Sequence, residues 1–108
     1  MIDFSKVDAH IHLFEGGYQG GSLTSRPGVE VDELLCYQSL MKDHHIEAAL
    51  VVGFEGDPFC RQNNDFLAEL IPYQPWMYAL AYCHLDHQTD QISQLENWKM
   101  KGFQGISL

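Results

Sequence analysis

A chain of 108 residues, 45% hydrophobic and 19% charged, is sized for one domain with a modest core. It has no apolar run near the ~20 residues that a membrane span needs. Fifteen acidic residues against six Lys or Arg give a net charge of −9, which repels a phosphate backbone and argues against nucleic-acid binding.

Met1-Ile2-Asp3-Phe4-Ser5-Lys6 puts an acid where a signal peptide carries positive charge, so a cytoplasmic location is expected. In Val7–Leu13 the apolar residues Val7, Ala9, Ile11 and Leu13 alternate with Asp8, His10 and His12, which predicts a strand over 6–13. Phe14–Glu30 is a long connection rich in glycine (Gly16, Gly17, Gly20, Gly21 and Gly28), of the length at which loops in compact domains are usually functional. A helix is predicted over 31–44, with Asp32 as N-cap and Val31, Leu34, Leu35 and Met41 as its apolar face. His44 and His45 fall at its end, where a cation suits the helix dipole.

The apolar run Ala48–Gly53 predicts a strand over 47–53 of the kind buried in a parallel sheet. A helix over 62–71 carries Phe66, Leu67, Leu70 and Ile71 on one side and stops at Pro72. A strand over 76–84 and a helix over 90–101 follow, the helix with a stripe of Ile92, Leu95 and Trp98 and a left-handed cap at Gly102. A last strand spans 103–108. Trp76, Tyr78 and Trp98 read as packing between strand and helix. Cys36, Cys60 and Cys83 are widely spaced and form no C-x-x-C, so each reads as a small buried hydrophobe.

His10 and His12 carry the chemistry. At i and i+2 of a strand their side chains leave one face, with α-carbons roughly 6.6 Å apart. Each ring can lean inward and set a nitrogen about 2.1 Å from one shared cation, the length of a zinc–histidine bond. Asp8 points the same way by alternation, as a further oxygen ligand or as a partner to the histidines. A pair of ordinary surface or core histidines is the competing reading.

The runs Lys6-Val7-Asp8-Ala9-His10-Ile11-His12-Leu13, Ile46–Gly53 and Gly102–Leu108 together resemble the amidohydrolase-related family of metal-dependent hydrolases, whose barrel has a first strand ending in H-x-H. The resemblance implies an α/β fold of parallel (β/α) repeats. Residues 1–108 would be the N-terminal half of a TIM (β/α)8 barrel, since a full barrel needs about 250 residues and eight strands. It also implies an enzyme that turns a metal-activated water on a small ester, lactone or amide, with Zn²⁺, or Mn²⁺, held by His10, His12 and Asp8. The family's remaining ligands lie beyond the fourth strand, so the chain alone is expected to be incomplete and weakly active or inactive.

Barrel enzymes place their chemistry at the C-terminal ends of the strands. Glu55 and His84 fall there and are the catalytic candidates, with Asp86 and His87 weaker ones. Tyr18 and Arg26, in the glycine-rich loop above that end, are the candidate substrate-binding residues, Arg26 through paired hydrogen bonds to a carboxylate. The expected partner is a small-molecule substrate, not a nucleic acid or a membrane. Two alternatives stay open: a non-enzymatic half barrel or flavodoxin-like module acting through oligomerisation, such as a homodimer of four plus four strands, and a metal-dependent decarboxylase of the same family.

Overall fold

The computed structural model describes residues 4–18, 30–56, 60–84 and 90–108. Strands β1 (Lys6–Ile11), β2 (Ile46–Val52), β3 (Met77–Tyr82) and β4 (Gly105–Ser107) alternate with helices α1 (Glu33–His44), α2 (Asn63–Leu70) and α3 (Gln91–Met100). A 3-10 turn over Ile71–Tyr73 accommodates Pro72 directly after α2. The strands form one parallel sheet in the order β1-β2-β3-β4.

Local chemistry sets the helix ends. Asp32 caps α1 by accepting from Leu35 N–H at 3.0 Å. Asp90 caps α3 by accepting from the N–H groups of Ile92 and Ser93, and the Ser93 hydroxyl and N–H hold its carboxyl below the usual range. After α3 the chain reverses at Gly102, whose φ of 101° suits glycine and whose missing Cβ would meet Ile71 Cγ2 at 2.8 Å.

All three helices serve one core. Ala49 and Val51 of β2 and Met77, Ala79 and Ala81 of β3 are buried with Tyr37 of α1, Leu67 of α2 and Phe103. Leu34 and Met41, Phe66 and Leu70, and Trp98 pack on the same cluster from α1, α2 and α3. Register then puts Leu50 opposite Tyr78, and Val52 opposite Leu80, on the other face. That face is largely open: Val7, paired with Ala48, is 65% exposed and Tyr78 is 50% exposed. Helices on one face and strands in sequential order are the pattern of a barrel wall, whereas a flavodoxin-like sheet has helices on both faces and a switched order.

Several expectations at single positions are corrected. Val31 and Leu35 of the first predicted helix face are exposed; Tyr37 is the buried residue of α1. Ile92 and Leu95 on α3 are exposed too, leaving Trp98 as the member of that stripe packed on the core. Tyr78 lies on the open face of the sheet and not between strand and helix. Cys60 and Cys83 are buried, but Cys36 is exposed.

Candidate functional site

The site residues gather at the C-terminal ends of β1, β2 and β3. His10 and His12 come from the end of β1, and their Nε2 atoms stand 3.2 Å apart. His12 Nδ1 lies 2.7 Å from the Val52 carbonyl, which can only accept, so Nδ1 carries the proton and Nε2 keeps its lone pair. Two ligands of one tetrahedral zinc, bonded at about 2.0–2.1 Å, sit about 3.3 Å apart, so the imidazole pair fits a shared divalent cation. In the absence of one, His10 Nε2–H can donate to His12 Nε2 instead. Among the described residues no group of three or more His, Cys, Asp or Glu side chains is placed to hold a metal.

Asp8 is not brought to this pair. Asp8 pairs with Ala49 and Ile11 with Val51, so three steps along β1 match two along β2, and the strand carries an extra residue between them. The bulge breaks the alternation and turns Asp8 to the helix-covered face, alongside Ala49. There its Oδ2 accepts from the Tyr37 hydroxyl at 3.0 Å, and its Oδ1 from the His10 N–H at 3.4 Å. Burial first, then the hydrogen bond to Asp8 and its charge, push Tyr37 up to about 12.

Glu55 and His84 are brought together. His84 Nε2 lies 2.7 Å from Glu55 Oε1, and the carboxylate is the sheltered member, with side-chain exposures of 7% for Glu55 and 44% for His84. Glu55 Oε2 accepts from the Asn64 N–H at 2.8 Å, and Gln94 Oε1 accepts from the His84 N–H at 3.3 Å. A carboxylate fixed at both oxygens orients the ring and leaves His84 Nδ1 as a proton acceptor, the arrangement of a general base with its orienting acid.

Aromatic rings bridge the two pairs. His12 lies 6.4 Å from Phe54, Phe54 5.7 Å from Tyr82 and Tyr82 4.9 Å from His84, centroid to centroid. Phe14 stacks on His12 at 5.9 Å and meets Tyr18 at 5.0 Å. His12, Phe14, Tyr18 and Phe54 line a cleft of ≈ 310 Å³. Tyr18 thus reaches the cleft, and Glu33 of α1 anchors its segment by accepting from Phe14 N–H at 2.6 Å and Tyr18 N–H at 3.3 Å. Arg26, Asp86 and His87 lie outside the described residues.

Asn63 and Asn64, both buried at the start of α2, were not singled out by the sequence. Asn63 ties the Leu13 carbonyl to the Phe54 N–H, and Asn64 ties both backbone groups of Tyr82. The legible signal was two adjacent amide residues opening an amphipathic helix, where amides that are not exposed caps must find backbone partners.

No protein-family model matches the sequence, and no curated protein matches it. Among solved structures, the chain is similar to a probable 2-pyrone-4,6-dicarboxylic acid hydrolase from Acinetobacter baumannii with citric acid bound. The two share 20% identity at a TM-score of 0.64, over 97% of this chain and 38% of that one. The chain therefore spans well under half the length of this structural neighbour. At the level of fold, its four parallel strands and the three helices between them have the architecture of half a TIM barrel.

Proposed function

We propose that the chain carries the first half of the active site of a hydrolase acting on a small ester, lactone or amide. The observation that carries this reading is the 3.2 Å between His10 Nε2 and His12 Nε2, with the His12 tautomer fixed by Val52. The two imidazoles would hold a divalent cation, Zn²⁺ or Mn²⁺. Such a cation polarises a substrate carbonyl and makes water a stronger acid.

His84 takes the role of acid and base. Glu55 holds its Nε2–H, so Nδ1 can accept a proton from water and return it to the leaving oxygen or nitrogen. The cleft walled by Phe14, Tyr18 and Phe54 takes the apolar or unsaturated part of the substrate, beside His12. The name of the structural neighbour, a probable hydrolase of a cyclic dicarboxylate, supports a small lactone as the first compound to try.

Calorimetric titration with Zn²⁺ at pH 7 tests the reading. The chain should take up one ion, the H10A/H12A variant none, and the E55Q and H84N variants one each. Equal uptake by the chain and H10A/H12A, or no uptake by the chain, overturns it.

A further inference from the structure

The end of the β2–β3 ladder departs from regular pairing at one place. Val52 pairs with Leu80, and Gly53 N–H donates to the Leu80 carbonyl at 2.8 Å. In an uninterrupted parallel ladder the next bond would run from Tyr82 N–H to the Gly53 carbonyl. Tyr82 N–H donates instead to Asn64 Oδ1 at 2.8 Å, and Asn64 Nδ2 donates to the Tyr82 carbonyl at 2.8 Å. The carboxamide has the donor and acceptor of a peptide group, and it stands where the neighbouring strand's peptide would stand.

The substitution needs room, and Gly53 supplies it. A Cβ there would lie 2.7 Å from Asn64 Oδ1, 2.9 Å from the Leu80 carbonyl and 3.0 Å from Tyr82 N. Asn64 itself is 1% exposed. With β3 satisfied by Asn64, the chain after β2 is free to leave the sheet through Phe54 to Glu55. Glu55 is then recaptured by the same residue, through the Asn64 backbone N–H on Oε2 at 2.8 Å. The other carboxylate oxygen faces His84, two residues beyond Tyr82.

We propose that Asn64 is the positioning residue of the Glu55–His84 pair: its carboxamide replaces a peptide group at the end of the β2–β3 ladder, and its N–H aims the Glu55 carboxylate at His84. The inference rests on the reading that this pair moves the proton. Its content is geometric and holds for any reaction the pair serves. A role confined to stability would make Asn64 interchangeable with other core contacts of equal worth.

Proton and nitrogen NMR of the chain labelled at histidine ring nitrogens distinguishes the two. A hydrogen bond of 2.7 Å to a sheltered carboxylate should give the His84 Nε2–H a slowly exchanging, low-field proton signal, and E55Q should abolish it. Asn64→Asp keeps the shape and the backbone N–H but opposes a carboxylate oxygen to the Tyr82 carbonyl. Both N64D and N64A should lose the signal, while M41A, a core variant at the far end of α1, should keep it. Retention of the signal at its wild-type position in N64D and N64A, or loss of it in M41A to the same degree, overturns the proposal. Absence of the signal from the wild-type chain overturns it as well.

If neither variant folds, exchange of the Asn64 side-chain amide protons in the wild-type chain decides. Protection of at least about a hundredfold is expected of a buried amide bonded at both atoms, and exchange at the rate of a free asparagine overturns the proposal. Zn²⁺ uptake separates this outcome from the fate of the functional reading. N64D that has lost the His84 signal should bind Zn²⁺ like the wild type, whereas failure of the wild type to bind leaves the positioning role of Asn64 untouched.

Discussion

The Asp8 carboxylate is held by the Tyr37 hydroxyl at 3.0 Å and the His10 N–H at 3.4 Å, on the face of β1 away from the imidazoles. It supplies an acceptor for a backbone N–H that the bulge takes out of the ladder, and so fixes the strand where His10 departs. Tyr37→Phe should cost about 1–2 kcal/mol at pH 7, read from urea unfolding, because the half-buried carboxylate loses its strongest donor. The pH dependence has a definite sign. Tyr37 is raised from 10.0 to about 12 on folding, chiefly by burial, so the folded state favours the protonated phenol. Its contribution is complete below pH 10 and is lost as pH rises from 10 to 12. The wild-type advantage over Y37F should therefore shrink across that window, and a constant difference from pH 9 to 12 would refute the account. The histidine pair was legible because i, i+2 spacing survives the bulge, which ends before Ile11. The expectation for Asp8 failed for the same reason: one inserted residue reverses the face of everything before it.

At the scale of elements, the junction of β2 and α2 organises more of the site than either strand that bears a histidine. Asn63 fixes the chain after His12 through the Leu13 carbonyl and the chain after β2 through the Phe54 N–H. Asn64 fixes β3 and Glu55. Gly53 is the point at which this packing is tightest, since two of the three atoms a Cβ would meet are backbone and the third is tied at 2.8 Å. Gly53→Ala should destabilise the chain by about 1–3 kcal/mol through overpacking, with the loss visible as a lower urea midpoint. A neutral result would mean that the amide clasp has slack. Element order, the start of α1 and the ends of α2 and α3 were readable from the sequence because Asp32, Pro72 and Gly102 act locally. The apolar stripe of α3 was not, because periodicity reports which side of a helix is apolar and not whether a neighbour covers it: Ile92 and Leu95 stay exposed. The approach of Glu55 to His84 depends on two strand ends meeting over a helix terminus, which no local pattern encodes.

For the whole molecule the decisive imbalance is between the two faces of the sheet. One face is sealed by three helices, and the other presents Val7 and Tyr78, with Leu50 and Leu80 half-buried beside them. Contiguous apolar surface of this kind drives association, while a net charge of −9 opposes it. The two terms respond differently to salt. Raising ionic strength from 0.05 M to 0.5 M shortens the screening length from about 14 Å to about 4 Å, which weakens the repulsion between copies and leaves the apolar attraction intact. Sedimentation velocity should therefore show self-association of the chain that strengthens with added salt. Val7→Ser with Tyr78→Ser removes apolar surface without changing charge, and should weaken the association at every salt concentration. Because both residues lie on an open face, the same pair should change the unfolding free energy by no more than about 0.5 kcal/mol per site. A loss several times larger would mean that the face is covered within a single copy. Association that falls with salt would mean that charge pairing, and not the open sheet, holds the copies together.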